Sequence, residues 1–344
     1  MRALRNQWYC AALSKELAGV PLARTFLGEP VVMYRTTDGT AVALEDRCCH
    51  RRAPLSKGAI EGDNLRCGYH GLLYAPGGNV IWAPGQDKLP QGARVRRYPL
   101  CEKHGWTWIW MGDPALADPN TAPAFHWYDA AGWAANGACL PVDANYLLLV
   151  DNLMDLSHLA FLHIKTIGAS DDTNPELSWE RGPDFVRGLR VARNLSPSTR
   201  QIAQGDTLKT DSTKIMTFTP PANVVIEINT VEAGKRADDP TNRINRQLVI
   251  LDSMTPATDS SCYYFWGSCR NFRIDDTKLS EQTFQATVTA FNEDKDMLEA
   301  EQRIIDLDPA APQIDLVGDA GGLQARRIVA RLLDEEGGAR QAAE

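Results

Sequence analysis

Asp46-Arg47-Cys48-Cys49-His50-Arg51-Arg52-Ala53-Pro54-Leu55 and Cys67-Gly68-Tyr69-His70-Gly71 decide how the first third of this chain folds. Each stretch carries one cysteine and one histidine at short spacing, Cys48-x-His50 and Cys67-x-x-His70, with sixteen residues between the two pairs. Two thiolates and two imidazoles offered from two loops can hold two iron atoms. A second constellation follows, Asp151-Asn152-x-x-Asp155-x-x-His158-x-x-x-x-His163, and the two together use four of the six histidines.

The first spacing has a chemical reason. A Rieske [2Fe-2S] cluster takes two thiolates on one iron and two neutral imidazoles on the other, and each loop supplies one of each. Neutral imidazoles in place of anionic thiolates raise the potential of such a cluster above that of an all-cysteine one, so it can accept electrons from a ferredoxin-type donor. Cys2His2 is also an accepted zinc set, and ligand chemistry alone leaves that reading open. Cys49 lies between the two candidates of the first loop; only Cys48 gives the Cys-x-His spacing, so Cys49 is expected to be a packing residue.

In the second motif, Asp151, Asp155 and His158 fall at i, i+4 and i+7 and share one face of a predicted helix. His163 does not, because five residues carry it about 140° around an ideal helix. Both imidazoles reach one metal only if the helix ends or bulges between them. Two histidines and a carboxylate form the facial triad that leaves positions open on Fe(II). The third ligand must come from farther along, and a helix predicted from about Ser280 to Ile305 is the best source. Phe284, Val288, Phe291, Leu298 and Ile305 form its apolar stripe. Asp294 borders that stripe, Glu299 borders it on the other side as a rival, and Glu293 and Asp296 are expected to point outward.

Composition narrows the class. The chain has 344 residues, enough for about two domains, and a net charge of −8, which argues against nucleic-acid binding. No apolar run approaches the ~20 residues of a membrane span, and the start, Met1-Arg2-Ala3-Leu4-Arg5-Asn6-Gln7-Trp8, lacks the sustained apolar segment of a signal peptide. Eight cysteines without small-domain spacing point to the reducing cytoplasm, with Cys10, Cys101, Cys139, Cys262 and Cys269 free.

From Arg24 to Cys101 the chain reads as short β-branched or aromatic runs between turns. Asp38-Gly39 between Val31–Tyr34 and Ala41–Leu44 predicts a hairpin, and Pro76-Gly77-Gly78-Asn79 another turn. Trp106, Trp108 and Trp110 alternate with Thr107 and Ile109, placing three indoles on one face of a strand that closes this domain. The turn-rich stretch from Gly112 to Pro119 marks the boundary, giving domains 1–117 and 118–344. The second mixes the predicted 151–163 helix with strands at 223–231, 247–252 and 262–267 before the late helix, an antiparallel α+β pattern.

The loops around Cys48 and Cys67, the segment Val150-Asp151-Asn152-Leu153-Met154-Asp155-Leu156-Ser157-His158 and the run Phe291-Asn292-Glu293-Asp294-Lys295 resemble those of Rieske non-haem iron oxygenase large subunits. The resemblance spans the whole chain. It implies an all-β N-terminal Rieske [2Fe-2S] domain followed by an antiparallel α+β helix-grip catalytic domain. Within that group, Trp8-Tyr9 and Tyr263-Tyr264-Phe265-Trp266-Gly267 with Arg270-Asn271-Phe272 are most similar to vanillate demethylase, dicamba demethylase and toluenesulfonate methyl-monooxygenase oxygenase subunits.

The resemblance implies cluster ligands Cys48, His50, Cys67 and His70, and iron ligands His158, His163 and Asp294. It places Asn152 beside the iron and gives Asp151 a supporting or capping role. It also implies that Asp155 bridges cluster residue His70 of one subunit to His158 of the next, in a homotrimer. The implied activity is that of a monooxygenase on an aromatic acid, with electrons from NADH or NADPH through a separate ferredoxin-type reductase. O-demethylation is expected ahead of methyl-group hydroxylation, with ring dihydroxylation third. An electron carrier is the alternative of another class, since the cluster loops alone would make a ferredoxin; it leaves residues 118–344 without a task. The pocket walls are expected to include Phe161, Ile164, Trp266, Phe284 and Gln285, near the proposed ligands.

Overall fold

Gly39, at φ +87°, closes the expected hairpin: Glu29–Arg35 pairs antiparallel with Ala41–Glu45, Tyr34 opposite Val42. Gly78, at φ +86°, makes the second turn, where a Cβ would come 2.4 Å from the Val95 carbonyl oxygen, so no larger residue fits. The computed structural model describes residues 2–169, 171–203 and 205–343. Its Cα packing separates two units, one running to Ala124 and including Thr255–Asp259, the other formed by the rest from Phe125 onward.

The first unit is all β, with three small antiparallel sheets among the described residues. Trp106–Trp110 lies between Trp8–Leu13 and Leu100–Lys103 and is not a closing edge. All five of its residues are buried, Thr107 and Ile109 as fully as the indoles, because both faces of this central strand are covered. Trp106 and Trp108 stack with ring centroids 6.0 Å apart. The turn-rich stretch beyond it forms short 3-10 turns whose ends are capped by Asp113 and Asp118, accepting from the Ala115 and Asn120 N–H groups.

The second unit is built on a seven-stranded antiparallel sheet, in spatial order Ala134–Val142, Ser261–Arg270, Asn245–Thr258, Asn223–Glu232, Thr210–Thr219, Val186–Leu195, Glu176–Arg181. Alternation is strict where one face is covered. Along Thr210–Thr219 every second residue from Thr210 to Phe218 is buried. Three main helices, Tyr146–Met154, Thr277–Leu307 and Ala320–Ala343, contribute to the core, with Leu149, Val150, Met154, Phe291, Ala325 and Val329 packed among strand residues. No helix among the described residues is long and apolar enough to cross a membrane.

The first helix departs from expectation. It ends at Met154, not near His163, and Asp155 adopts an extended conformation (φ −118°, ψ 103°). Its side chain then caps a 3-10 turn, Leu156–Ala160, by accepting from the Ser157 N–H at 2.9 Å. Asp155 therefore belongs to a junction between two helical segments, and the shared face with Asp151 is lost. The late helix, capped by Asp276 at the Leu279 N–H, runs a little beyond the expected stripe at both ends.

Candidate metal centres and substrate cavity

In the first unit, Cys48 and Cys67 are buried at 2 % and 1 % exposure, whereas His50 and His70 are exposed, with ring centroids 4.6 Å apart. The two sulfurs lie within hydrogen-bonding reach of each other, and all eight cysteines are free. Burial pushes the Cys67 thiol up, while main-chain N–H groups of Tyr69 and His70 pull the other way. Tight loop contact makes this possible: a Cβ on Gly68 would stand 2.6 Å from the Lys57 carbonyl oxygen. The Tyr74 hydroxyl donates to Cys48 Sγ at 3.1 Å and accepts from the Cys49 N–H at 3.1 Å. Cys49 itself is exposed, although its Sγ also lies 3.2 Å from the Tyr74 hydroxyl.

In the second unit, His158, His163 and Asp294 offer ligand atoms that all lie within 4.8 Å of one another. His158 reaches the site from the 3-10 turn. His163 comes back to it because its carbonyl accepts from both Thr166 and Gly168, and Gly168 sits so close to the Leu159 carbonyl that a Cβ would be 1.8 Å from it. This wide loop removes the 140° disparity that a continuous helix would impose. Each imidazole is oriented through Nδ1: His158 toward the Asp155 main-chain oxygen at 2.8 Å, His163 toward Glu293 Oε2 at 2.7 Å. With Nδ1–H donating, the Nε2 lone pairs face Asp294 Oδ1, at 3.6 and 3.0 Å. The Asn152 amide donates to the same Asp294 oxygen at 3.1 Å.

Burial pushes His158 below the ordinary imidazole value despite Asp294, which favours the neutral form that a metal needs. His163 is raised: burial lowers it, but Asp294 and Glu293 together outweigh burial. Asp151 is apart from this site, paired with Arg326 of the C-terminal helix at 2.8 Å. Glu299, the rival for the third ligand, accepts from the Asp143 N–H and pairs with Lys295.

Two expectations fail here. Glu293 does not point away: the 161–168 loop folds over that side of the late helix, and Glu293 binds both His163 and Thr166. The Asp155 carboxylate does not reach His158; within the chain it binds the Ser157 hydroxyl and N–H at 2.9 Å, and its main-chain oxygen contacts the imidazole instead.

His158, His163, Asn152 and Asp294 line a cavity of about 140 Å³, a size that admits a benzene-like ring. Its walls are Leu153, Leu156, Ile226, Ile250 and Phe291, with polar residues from the strand Thr210–Thr219. The expected walls are elsewhere. Phe161 is 72 % exposed, Ile164 and Gln285 also face outward, and Trp266 is buried against Phe284 and Phe291. Proximity along a helix misled because the wall is shared between the sheet and other faces of the ligand-bearing helical segments, through Leu153, Leu156 and Phe291.

Residues 142–335 match the family described as vanillate O-demethylase oxygenase C-terminal domain, and residues 7–99 match the Rieske [2Fe-2S] domain. The chain belongs to the vanillate O-demethylase oxygenase family. A putative toluene-4-sulfonate monooxygenase system iron-sulfur subunit from Comamonas testosteroni is 38% identical, over 97% of this chain and 98% of that protein. A vanillate O-demethylase oxygenase subunit from a Pseudomonas species is 36% identical, over 98% and 97%. Dicamba monooxygenase bound to 3,6-dichlorosalicylic acid has the same fold, with a TM-score of 0.90 and 32% identity over 97% of this chain and 98% of that one.

The donor sets of this Rieske oxygenase subunit fit both of its metal centres. Two buried sulfurs with two exposed imidazoles suit a [2Fe-2S] cluster, and two neutral-capable imidazoles with one carboxylate suit a mononuclear Fe(II). The Tyr74 bond to Cys48 makes a prediction. A hydrogen bond to a ligand sulfur favours the reduced, more negative cluster, so Tyr74→Phe lowers the midpoint potential. A hydrogen bond of about 1 kcal/mol corresponds to about 40 mV for a one-electron couple. Redox titration of the visible absorption checks this, and an unchanged potential refutes it.

Proposed function

We propose that this subunit is the terminal oxygenase of a multi-component system that hydroxylates a single-ring aromatic acid, chiefly by O-demethylation. The observation that carries this is the convergence of His158, His163 and Asp294 on an apolar cavity of ring size. The relatives act, by name, on vanillate, dicamba and toluene-4-sulfonate, which are all aromatic acids. Identities of 38%, 36% and 36% do not separate methyl from methoxy oxidation, so methyl-group hydroxylation is the second reading.

Bound at these residues, Fe(II) would supply oxygen activation, and a [2Fe-2S] cluster at Cys48, His50, Cys67 and His70 the electrons. The chain's own groups prepare that chemistry. Glu293 and the Asp155 carbonyl hold the Nδ1 protons, which keeps both Nε2 lone pairs aimed at one point, and Asn152 holds the Asp294 carboxylate. The apolar walls exclude water from the reacting carbon. On a methoxyarene, O2, NADH and a proton give a hemiacetal, NAD+ and water; the hemiacetal collapses to a phenol and formaldehyde. The domains assigned to these tasks are 1–117 for electron relay and 118–344 for oxidation. The electrons come from NADH or NADPH through a ferredoxin-type reductase, and eight free cysteines favour a cytoplasmic setting.

We further assign a head-to-tail homotrimer in which the Asp155 carboxylate meets His70 of the partner subunit. In its support, Leu316 and Val317 are 66 % and 82 % exposed next to Gly318, where a Cβ would come 2.5 Å from that carboxylate. Tyr69 and Trp82, in the unit that holds His70, are 66 % and 47 % exposed. Apolar surfaces of this kind mark subunit contacts.

The test is formaldehyde release from purified holoenzyme with a surrogate reductase, NADH, O2 and a panel of methoxybenzoates. Formaldehyde in step with NADH consumption, lost in His158→Ala, establishes an O-demethylase. NADH use without formaldehyde, and with benzylic alcohols from methyl-substituted acids, establishes methyl hydroxylation instead.

A further inference from the structure

Beside the cavity, two buried cations share one carboxylate. Arg190 and Lys214 are direct cross-strand partners, and both reach a single carboxylate oxygen: Asp172 Oδ2 is 2.8 Å from Arg190 Nη1 and 3.2 Å from Lys214 Nζ. None of the three is more than 9 % exposed. With Asp294 assigned to the metal site, two buried cations on one carboxylate leave a local surplus of +1, which a low-dielectric site tolerates poorly until an anion arrives.

The two cations are not equivalent. Arg190 is committed to Asp172, since its Nη2 also donates to the Asp172 main-chain oxygen at 3.3 Å. Lys214 lines the cavity, and an ammonium has three hydrogens of which Asp172 takes one. Burial pulls the Lys214 pKa down to about 8, with Asp172 opposing and Arg190 adding to the fall. A second anion would oppose that fall. Around the ammonium, Ser212 faces the same cavity from the same strand, and Ile228, opposite Lys214, continues to Leu248 as an apolar wall for a ring.

We infer that Lys214 is the specificity-determining residue of this oxygenase: its ammonium takes the carboxylate or sulfonate of the aromatic acid, while Asp172 and Arg190 hold it in place. This rests on the reading of the cavity as the substrate site. Neutral aromatics of the same shape leave the surplus charge buried and unanswered, and are rejected for that reason.

The test is equilibrium binding to the holoenzyme, which needs no turnover. The probes are 4-methylbenzenesulfonate and 3-methoxybenzoate, with 4-methylbenzenesulfonamide and 3-methoxybenzamide as neutral counterparts. The wild type should bind at least one acid about tenfold or more tightly than its amide. Lys214→Met, which leaves Asp172 matched by Arg190, should weaken that acid by about tenfold or more and the amide by less than about twofold. Lys214→Arg should retain acid binding. The ratio between the two acids shows which headgroup the site was built for. Equal binding of acid and amide by the wild type, parallel loss of both in Lys214→Met, or no acid binding at all overturns the inference. Should Lys214→Met fail to fold, the wild-type ratio and Lys214→Arg decide. Ile228→Trp, which fills the cavity, must abolish binding of acid and amide alike; if it does not, the substrate-site reading has failed and not the role of Lys214.

Discussion

Asp294→Ala should lower the iron content from about three to about two per chain while leaving the visible absorption of the cluster intact, with turnover falling to background. The reason is geometric. Asp294 Oδ1 is the point at which both imidazole Nε2 atoms and the Asn152 amide converge, so no other carboxylate can replace it without moving the late helix. Glu293 is exposed enough to be wetted and meets the metal site only through Nδ1 of His163, its other partner being the Thr166 hydroxyl, so Glu293→Gln should weaken iron binding by about 10- to 100-fold without abolishing it. Iron analysis beside the absorption spectrum reads both variants. Loss of the cluster in Asp294→Ala, or three irons retained, would remove Asp294 from the assignment.

Asp155→Asn should retain all three irons per chain and lose nearly all turnover. An asparagine keeps the acceptor that caps the Ser157 N–H, and the main-chain oxygen that orients His158 is untouched, so the local fold survives. What goes is the negative charge and one acceptor, which the proposed contact to His70 of the partner subunit needs. Stopped-flow reduction of the cluster should remain fast, and its reoxidation in the presence of substrate and O2 should stall. Turnover within a fewfold of wild type would defeat the bridge, whatever the oligomeric state.

The parts of this protein that sequence alone could place are those whose chemistry is local. Cys48, His50, Cys67 and His70 lie within two short loops, and Asp38-Gly39 and Gly77-Gly78 sit where only a left-handed backbone closes the turn. Trp106, Trp108 and Trp110 followed from an alternation of period two, although not the burial of Thr107 and Ile109 between them, which depends on what covers the other face. Asp294 was legible only as one of two carboxylates bordering an apolar stripe, with Glu299 the other, and the family resemblance chose between them. Glu293 was not, since the same wheel refers only to the core, and what faces it is a loop 130 residues away in the chain.

The break at Asp155 was invisible for a related reason. Val150 to His158 has good helical periodicity, and it is the capping of Ser157 and the close backbone contact at Gly168 that end the helix early and bring His163 round. Sequence by itself determined the metal-ligand types, the two-part organisation and the late helix, because spacing and periodicity act over a few residues. Tertiary structure alone decided the cavity and its charge. Asp172, Arg190 and Lys214 lie 18 and 24 residues apart along the chain and meet only through the register of two paired strands, which no local pattern encodes.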